Sequence, residues 1–447
     1  MGKTTNSIHS STPDISPRQK AIRNIAWALG GKIVSLMGVL VVGIIVARYL
    51  GKEQYGIMNY VISVVAIFQV FADFGLDNIQ IREEARNPEQ RDKIIGTTFG
   101  LKVVFATMAL FAVGVMALIY EDDAAIQLYI FIYAFSILLN STWVSRNHFT
   151  SIVWNEYVVK TEIVRTVVGL AIKVALVLLH FPLVWFIFSL LIDSLLLASG
   201  YIVSYIKKVD SVRKWTFDRQ YAVYLIKQSF PLLMSGAAIV VYNRIDQVMI
   251  GNMIDKSNLG VYSVAVRFAE LLVFVPTIIS QTISPMLVEV RQKDAARYDV
   301  LSRQFMNITV FVCVVLALLT CLLSYPIVLF TFGQVYIGAA SVLAVLAFKV
   351  IGDALSQTSG QLIIIEGKQL YAPIRNIIGC ATCVLLNLWL ITRYGIHGAA
   401  YTAIITIFVS GTLANFMIPA YRAIFRKQVA AIFVGWKDLT NIKTFLR

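Results

Sequence analysis

The sequence predicts an all-α polytopic membrane protein, with about twelve transmembrane helices in two six-helix lobes around a central cavity. The first observation is composition: 58% of the 447 residues are hydrophobic and 14% are charged. Soluble domains are about half apolar and about a quarter charged. The second is a series of apolar runs long enough to cross a bilayer, and the third is an alternation of basic and base-poor loops between them.

The spans follow from length, because a bilayer-crossing helix needs about 20 mostly apolar residues. We expect them at 23–47, 56–79, 94–119, 125–145, 157–179, 183–205, 226–251, 259–286, 305–325, 336–364, 372–392 and 397–421. The fifth segment carries Glu162, Arg165 and Lys173, and could instead lie along the membrane interface. It is kept as a span because removing it would place every later loop on the opposite side.

The loop charges predict the orientation. With a cytoplasmic N-terminus, the inner segments carry 27 of the 39 Lys and Arg residues, and the outer turns carry four, namely Arg48, Lys52, Lys256 and Arg393. Basic loops stay in the cytoplasm. Both termini are therefore expected inside, in a bacterial inner membrane. This distribution, rather than nucleic-acid binding, accounts for the net charge of +14.

An internal repeat divides the chain. Lys52 and Gly56 recur 204 residues later as Lys256 and Gly260, in each case between the first two helices of a six-helix set. Gly at these places either adopts an unusual backbone angle or permits close helix contact. We expect a disordered cytoplasmic tail at 1–22, an N-lobe at 23–210, a C-lobe at 211–425 and a cytoplasmic tail at 426–447.

Charged residues within the spans predict a binding cavity. A charge at the bilayer centre costs about 2.5–3.5 kcal/mol on insertion scales, so these side chains should face one another or water. Arg165, Gly169 and Lys173 share one helix face. The candidates for a cationic cavity are Lys32, Arg165, Lys173, Arg244, Arg267 and Lys349, and the candidates for ion coupling are Asp193, Asp246, Glu270 and Asp353.

Other placements stay open for several of these residues. Arg267 with Glu270, and Lys349 with Asp353, have spacings that also suit local ion pairs. Lys102 is near enough to a helix end to extend its amine to the interface. His148 is near a helix end, where we expect it to be solvated or at the membrane interface rather than catalytic.

An excess of bases inside a membrane favours an anionic substrate, because Lys and Arg recognise phosphate oxygens. We expect a transporter with no catalytic residue and no metal site; a Na⁺ or H⁺ ion would couple transport, and an anion would be bound. Cys380 and Cys383 form a CxxC pair without a second pair or a nearby His, so we expect them to pack in the core. The sequence lacks a Walker A motif, which argues against ATP hydrolysis by this chain.

Several motifs resemble the polysaccharide transporter family, which includes the Wzx O-antigen flippases of the multidrug/oligosaccharidyl-lipid/polysaccharide exporter superfamily. They are "ARYLG" at 47–51, "DFGL" at 73–76, and "YNRIDQVMIG" with "LGVYSVAVR" at 242–267. The resemblance implies a flippase for a glycan carried on polyprenyl pyrophosphate, moved between leaflets by alternating access and used in lipopolysaccharide synthesis. It implies cavity roles for Lys32 and Arg267.

The resemblance also implies partners, namely membrane lipids and polysaccharide polymerase or assembly proteins. Two other functions remain open at this stage. One is export of drugs or of a different lipid by the same superfamily, although an exporter of cationic drugs should have an acidic cavity. The other is a membrane polymerase or ligase, which the short outer loops disfavour.

Overall fold

The computed structural model describes the backbone of residues 17–433 and the side chains of residue 38 and of residues 40–433. The expected tails at 1–22 and 426–447 therefore lie largely outside the described residues. The first half of the chain, residues 17–208, is a series of helices joined by short turns. Its helices are α1 (Pro17–Asp73), α2 (Leu76–Arg86), α3 (Arg91–Tyr120), α4 (Ala124–Leu139), α5 (Val144–Ser151), α6 (Asn155–Leu178) and α7 (Leu183–Lys208).

The second half, residues 219–433, is built in the same way, and no β-strand occurs within 17–433. Its helices are α8 (Arg219–Met253), α9 (Lys256–Leu272), α10 (Phe274–Lys293), α11 (Ala295–Thr331), α12 (Gly338–Leu346), α13 (Lys349–Ile365), α14 (Ala372–Phe408), α15 (Ala414–Met417) and α16 (Arg422–Phe433). The all-α prediction is confirmed.

Nine helical stretches within the described part of the chain are long and apolar enough to cross a membrane. Two of them contain a sharp backbone break, at Gly51 (φ 70°) and at Gly395 (φ 57°), where the chain turns between two successive helical segments. The charged helix α6 is not one of the nine, although it is 24 residues long. The protein is thus a multi-pass membrane protein, while the count of twelve spans stays a prediction.

Helix α1 lies at the centre of the fold. It packs against α3, α4 and α6 of the first half and against α8 and α9 of the second. Buried residues of both halves, from Val46 and Val61 to Tyr262 and Leu343, belong to one continuous apolar cluster. The two halves are therefore packed against each other along α1 and α9.

The two elbows that the sequence repeat singled out contact each other. We define them as residues 51–56 and 255–260. A methyl group on Gly56 would overlap the carbonyl oxygen of Lys256, and one on Gly260 would overlap the carbonyl oxygen of Lys52. Neither glycine has a positive φ, so close approach, rather than backbone angle, explains why Gly stands at both positions.

Further contacts close the same end of the molecule. Tyr336 donates a hydrogen bond to the carbonyl oxygen of Ala47 at 2.8 Å, and its ring meets that of Tyr55 edge-on. Arg48 donates to the carbonyl oxygen of Phe330. By contrast, α10 packs against α9, α11 and α13 of its own half.

The linker between the halves, residues 209–218, is held against α3. Lys93 Nζ lies 2.6 Å from Asp218 Oδ2, and Asp218 also accepts from the backbone N–H of Tyr221 as the N-cap of α8. The hydrogen bond from Lys93 and that from the backbone lower the pKa of Asp218. The start of α8 is thus fixed to the first half by an ionised cap.

Candidate functional site

A cavity of about 900 Å³, counting the part that lies open, is present between the two halves. Side chains of α1, α6, α7, α8 and α9 line it. Its charged lining residues in the described part of the chain are four bases and one acid: Arg165, Lys173, Arg244, Arg267 and Asp193. The cavity therefore combines charges from both halves, with the bases in excess.

Helix α6 contributes one face to the cavity, as its i, i+4, i+8 spacing predicted. Arg165, Gly169 and Lys173 all line the cavity. Lys173 Nζ lies 2.6 Å from Asp193 Oδ2 on α7, and both side chains are mostly buried. A Cβ at Gly169 would overlap Asp193 Oδ1, so glycine makes room for this ion pair.

The second half contributes Arg244 on α8 and Arg267 on α9. Glu270 stands between them, 3.4 Å from Arg244 Nη2 and 4.0 Å from Arg267 Nη1. The Arg267 guanidinium reaches across to α1, where a Cβ at Gly43 would lie 3.6 Å from its Nε. One carboxylate thus faces two guanidinium groups, and the local ion pair of Arg267 and Glu270 is loose.

Two guanidinium nitrogens in the cavity have no acceptor. Arg165 Nε and Arg267 Nε are both buried and make no hydrogen bond with the described residues. A buried donor without a partner costs about 1–3 kcal/mol, and more when the group is charged. Oxygens of an anion are the acceptors that guanidinium groups bind most strongly.

Asp246, Glu270 and Lys349 line a second, smaller pocket within the second half, of about 500 Å³. Lys349 lies 3.2 Å from Asp353, one helical turn away. This is the local ion pair that the sequence spacing allowed as an alternative to a place in the cavity. Asp246 accepts hydrogen bonds from Tyr262 Oη and from the Gln247 backbone N–H. The predicted residues therefore divide between two sites, and Lys349 belongs to this pocket rather than to the cavity between the halves.

Lys32 lies in α1, but its side chain is outside the described residues. Two expectations about other charges were wrong. Lys102 is 1% exposed instead of extending to the interface, and His148 is buried instead of solvated. Both belong to a polar network in the first half that sequence reasoning missed; the network is described further below. Asp73 and Asp77, near the expected inner end of a helix, were the available signal.

Comparison with known proteins places the chain in a family. Residues 21–291 match the family described as polysaccharide biosynthesis protein. A comparison with curated protein sequences found no match.

Three solved structures have similar folds. The lipid II flippase MurJ in an inward closed conformation has a TM-score of 0.69 at 14% identity, covering 93% of each chain. An inward-facing multidrug-resistance MATE transporter of the MOP superfamily has a TM-score of 0.58 at 15% identity, covering 90% of this chain and 96% of that one.

The third is the Vibrio cholerae MATE transporter VcmN. It has a TM-score of 0.52 at 12% identity and covers 93% of this chain and 98% of that one. At such identities these likenesses concern the fold alone. The family match covers more than half of the sequence, so this chain, with the fold of membrane flippases and exporters, belongs to the polysaccharide biosynthesis protein family.

Proposed function

We propose that this protein is a flippase that moves a polyprenyl-pyrophosphate-linked oligosaccharide from the cytoplasmic to the outer leaflet of the bacterial inner membrane. The observation that carries the proposal is the cavity between the halves, with four bases against one acid. A pyrophosphate with its oxygens would pair with these cations, whose charge Asp193 and Glu270 balance only in part. The family match and the likeness to a lipid II flippase support a lipid-linked glycan as substrate.

The arrangement suits alternating access between two lobes. In this structure the elbow end is closed by contacts of Gly56 and Gly260 with facing carbonyl groups. If the basic loops are cytoplasmic, the closed end is the outer one, and the substrate enters from the inner leaflet. The pyrophosphate then replaces Glu270 as the partner of Arg244 and Arg267, and separation of the elbows releases it outside.

The second pocket has carboxylates that could bind a coupling ion. Asp246 and Glu270 line it, and Asp353 is nearby through its pair with Lys349. Asp193, paired with Lys173, is the candidate in the larger cavity. We propose that Na⁺ or H⁺ bound at such carboxylates drives the cycle. The product would pass to membrane-bound polymerase or assembly proteins of polysaccharide synthesis, including that of lipopolysaccharide O-antigen.

Replacing cavity bases tests the proposal. Arg267→Ala and Arg165→Ala should each lower delivery of the glycan to the outer leaflet about tenfold or more, since a charged hydrogen bond contributes about 1.5–3 kcal/mol. The measurement is the amount of surface glycan in cells, together with lipid-linked intermediate accumulated at the inner leaflet. Lys32→Ala is tested in the same way.

Arg213→Ala is the matched control, because Arg213 is exposed in the linker between the halves. It should deliver glycan at the wild-type rate. Membrane insertion of every variant is checked by protein level in the membrane fraction. Wild-type delivery by Arg267→Ala, Arg165→Ala and their double variant would exclude the cationic-cavity mechanism.

A further inference from the structure

A polar network fills the junction of α2, α3 and α5 in the first half, among residues that do not line the cavity. Its lysine, histidine and glutamate are buried, and its two aspartates are 28% exposed. At its centre, Lys102 Nζ lies 3.1 Å from Asp73 Oδ1 and 2.5 Å from Asp77 Oδ1. The Lys102 side chain is 1% exposed. Its charge is therefore compensated inside the protein by two carboxylates, not by water.

A histidine and a glutamate form the second part of the network. His148 Nδ1 lies 2.6 Å from Glu84 Oε2, and the two side chains are 6% and 2% exposed. Glu84 also accepts from Gln80 Nε2 at 2.6 Å and from Ser151 Oγ at 3.3 Å. Glu84 thus accepts several hydrogen bonds, and we assign the Nδ1–H of His148 as the donor to it.

Asn147 joins the two parts. Its Nδ2 donates to Asp77 Oδ1 at 2.7 Å and to Gln80 Oε1 at 3.0 Å. Its Oδ1 is buried and has no donor among the described residues. The network is thus continuous from Lys102 to His148, and it contains an acceptor that lacks a proton donor.

The charges of this network do not balance. It holds three carboxylates, those of Asp73, Asp77 and Glu84, against one lysine. With His148 neutral the net charge is −2. Protonation of His148 at Nε2 and of one carboxyl group would bring it to zero, and buried charge favours that compensation.

Two neighbouring arginines do not remove the imbalance, because they pair with carboxylates outside the network, whereas Arg146, beside Asn147 on α5, hydrogen-bonds Tyr201 on α7 and offsets it in part. Arg82 pairs with Glu83 at 3.0 Å, and Arg91 pairs with Asp92 at 2.9 Å. The other titratable groups packed around the network are tyrosines. Tyr205 on α7 meets His148 edge-on, Tyr221 and Tyr224 on α8 face Glu83, and Tyr157 on α6 faces Phe149.

The network touches the place where the halves meet. Asp73 and Asp77 flank a left-handed break at Phe74 (φ 47°) and Gly75 (φ 68°). A Cβ at Gly75 would lie 2.9 Å from Leu233 N and 3.0 Å from the Ser229 carbonyl oxygen, both on α8 of the second half. The charge of the two aspartates therefore acts directly on this joint between α8 and the break.

We propose that this network is a proton-binding site, with His148 Nε2 and the Asp73–Asp77 pair as the groups that take up protons, and that its protonation controls the joint between the break and α8. Histidine is the side chain whose unperturbed charge change falls between about pH 5 and 8, which that of Asp, Glu and Lys does not. Uptake of a proton by one aspartate removes the repulsion between Asp73 and Asp77. The break at Phe74 and Gly75 then packs differently against α8. The control of lobe movement rests on the proposed function, whereas the proton site does not.

The first experiment observes the proton directly. The chain has four histidines, so replacing His9, His180 and His397 by Gln leaves His148 alone for ¹⁵N-imidazole NMR of the full chain in detergent. The His148 signals should change with pH as the ring takes up a proton. Glu84→Gln should displace that change along the pH axis, and the exposed Glu89→Gln should leave it where it is. A His148 that keeps one protonation state, or a titration that Glu84→Gln does not displace, overturns the proton site.

The second experiment observes the joint. Spin labels at exposed positions Gln90 and Gln292, after the four cysteines are replaced by alanine, report the separation of the halves by pulsed EPR. The distance distribution should differ between pH 5.5 and pH 8, and this difference should be lost in Asp77→Asn and in His148→Gln, with Glu89→Gln behaving as wild type. A pH response that both network variants retain overturns the linkage. No glycan lipid is used, so failure of the flippase proposal would not produce this result.

Discussion

At the residue scale, the arrangement of charges in the cavity depends on a residue without a side chain, Gly169. Gly169 leaves room for Asp193 to reach Lys173, and the pair sits beside Arg165 on the same helix face. The attraction within a mostly buried ion pair offsets the cost of removing its charges from water only while the geometry of the pair is intact. The position of Lys173 in the cavity is therefore set partly by a missing methyl group.

We expect Gly169→Ala to disturb this pair. The new Cβ would overlap Asp193 Oδ1, so Asp193 would turn away and Lys173 would lose its partner. Glycan delivery should fall at least as much as in Lys173→Ala, measured as surface glycan at equal protein level. Gly236→Ala is the matched control, since its Cβ would meet only Val70 Cγ2 at 3.8 Å, an ordinary contact. Equal activity of the two variants would contradict this role for Gly169.

At the element scale, the elbows 51–56 and 255–260 hold the two halves together by backbone contact. Gly56→Ala or Gly260→Ala would force the elbows apart, at a cost of about 1–3 kcal/mol to this state. That cost shifts a two-state equilibrium by about 5- to 150-fold toward the form with separated elbows. The change is measurable as faster labelling of a cysteine placed at Asn59, which lines the cavity, by a reagent added from outside.

Gly338→Ala provides the comparison for the elbow variants. Its Cβ would lie 3.5 Å from Val261 Cγ1, which is an ordinary contact. Labelling at Asn59 should then proceed as in the parent protein. If the elbow variants also label at the parent rate, the elbows do not limit access to the cavity.

The elements themselves were largely predictable from the sequence, because apolar length and helical spacing are local properties. The face of α6 that carries Arg165 and Lys173 followed from spacing alone. The partners did not, since which carboxylate meets which base depends on tertiary packing. Lys173 illustrates this, because its partner Asp193 lies on a different helix, α7. Lys102 and His148 were misplaced because distance from a helix end does not show what packs over that end.

At the scale of the whole molecule, the orientation rests on loop charge and is open to direct test. A cysteine at Asp122 should react with an impermeant thiol reagent applied to the outside of intact cells, and one at Lys214 should react only after permeabilisation. Both positions are exposed. The reverse labelling pattern would invert the proposed direction of transport. The boundaries of the two lobes, at 23–210 and 211–425, stay a prediction.

The reciprocal contact of the elbows has a consequence for how the molecule opens. Each glycine meets the carbonyl group of the residue four positions before the other, so the two contacts are copies related by one pseudo-twofold axis. Neither copy can part while the other stays closed unless the halves tilt away from that axis. The two contacts are therefore expected to form and to break together. Gly56→Ala and Gly260→Ala should have the same effect alone, and the double variant should add little to either, which a double-mutant cycle measures.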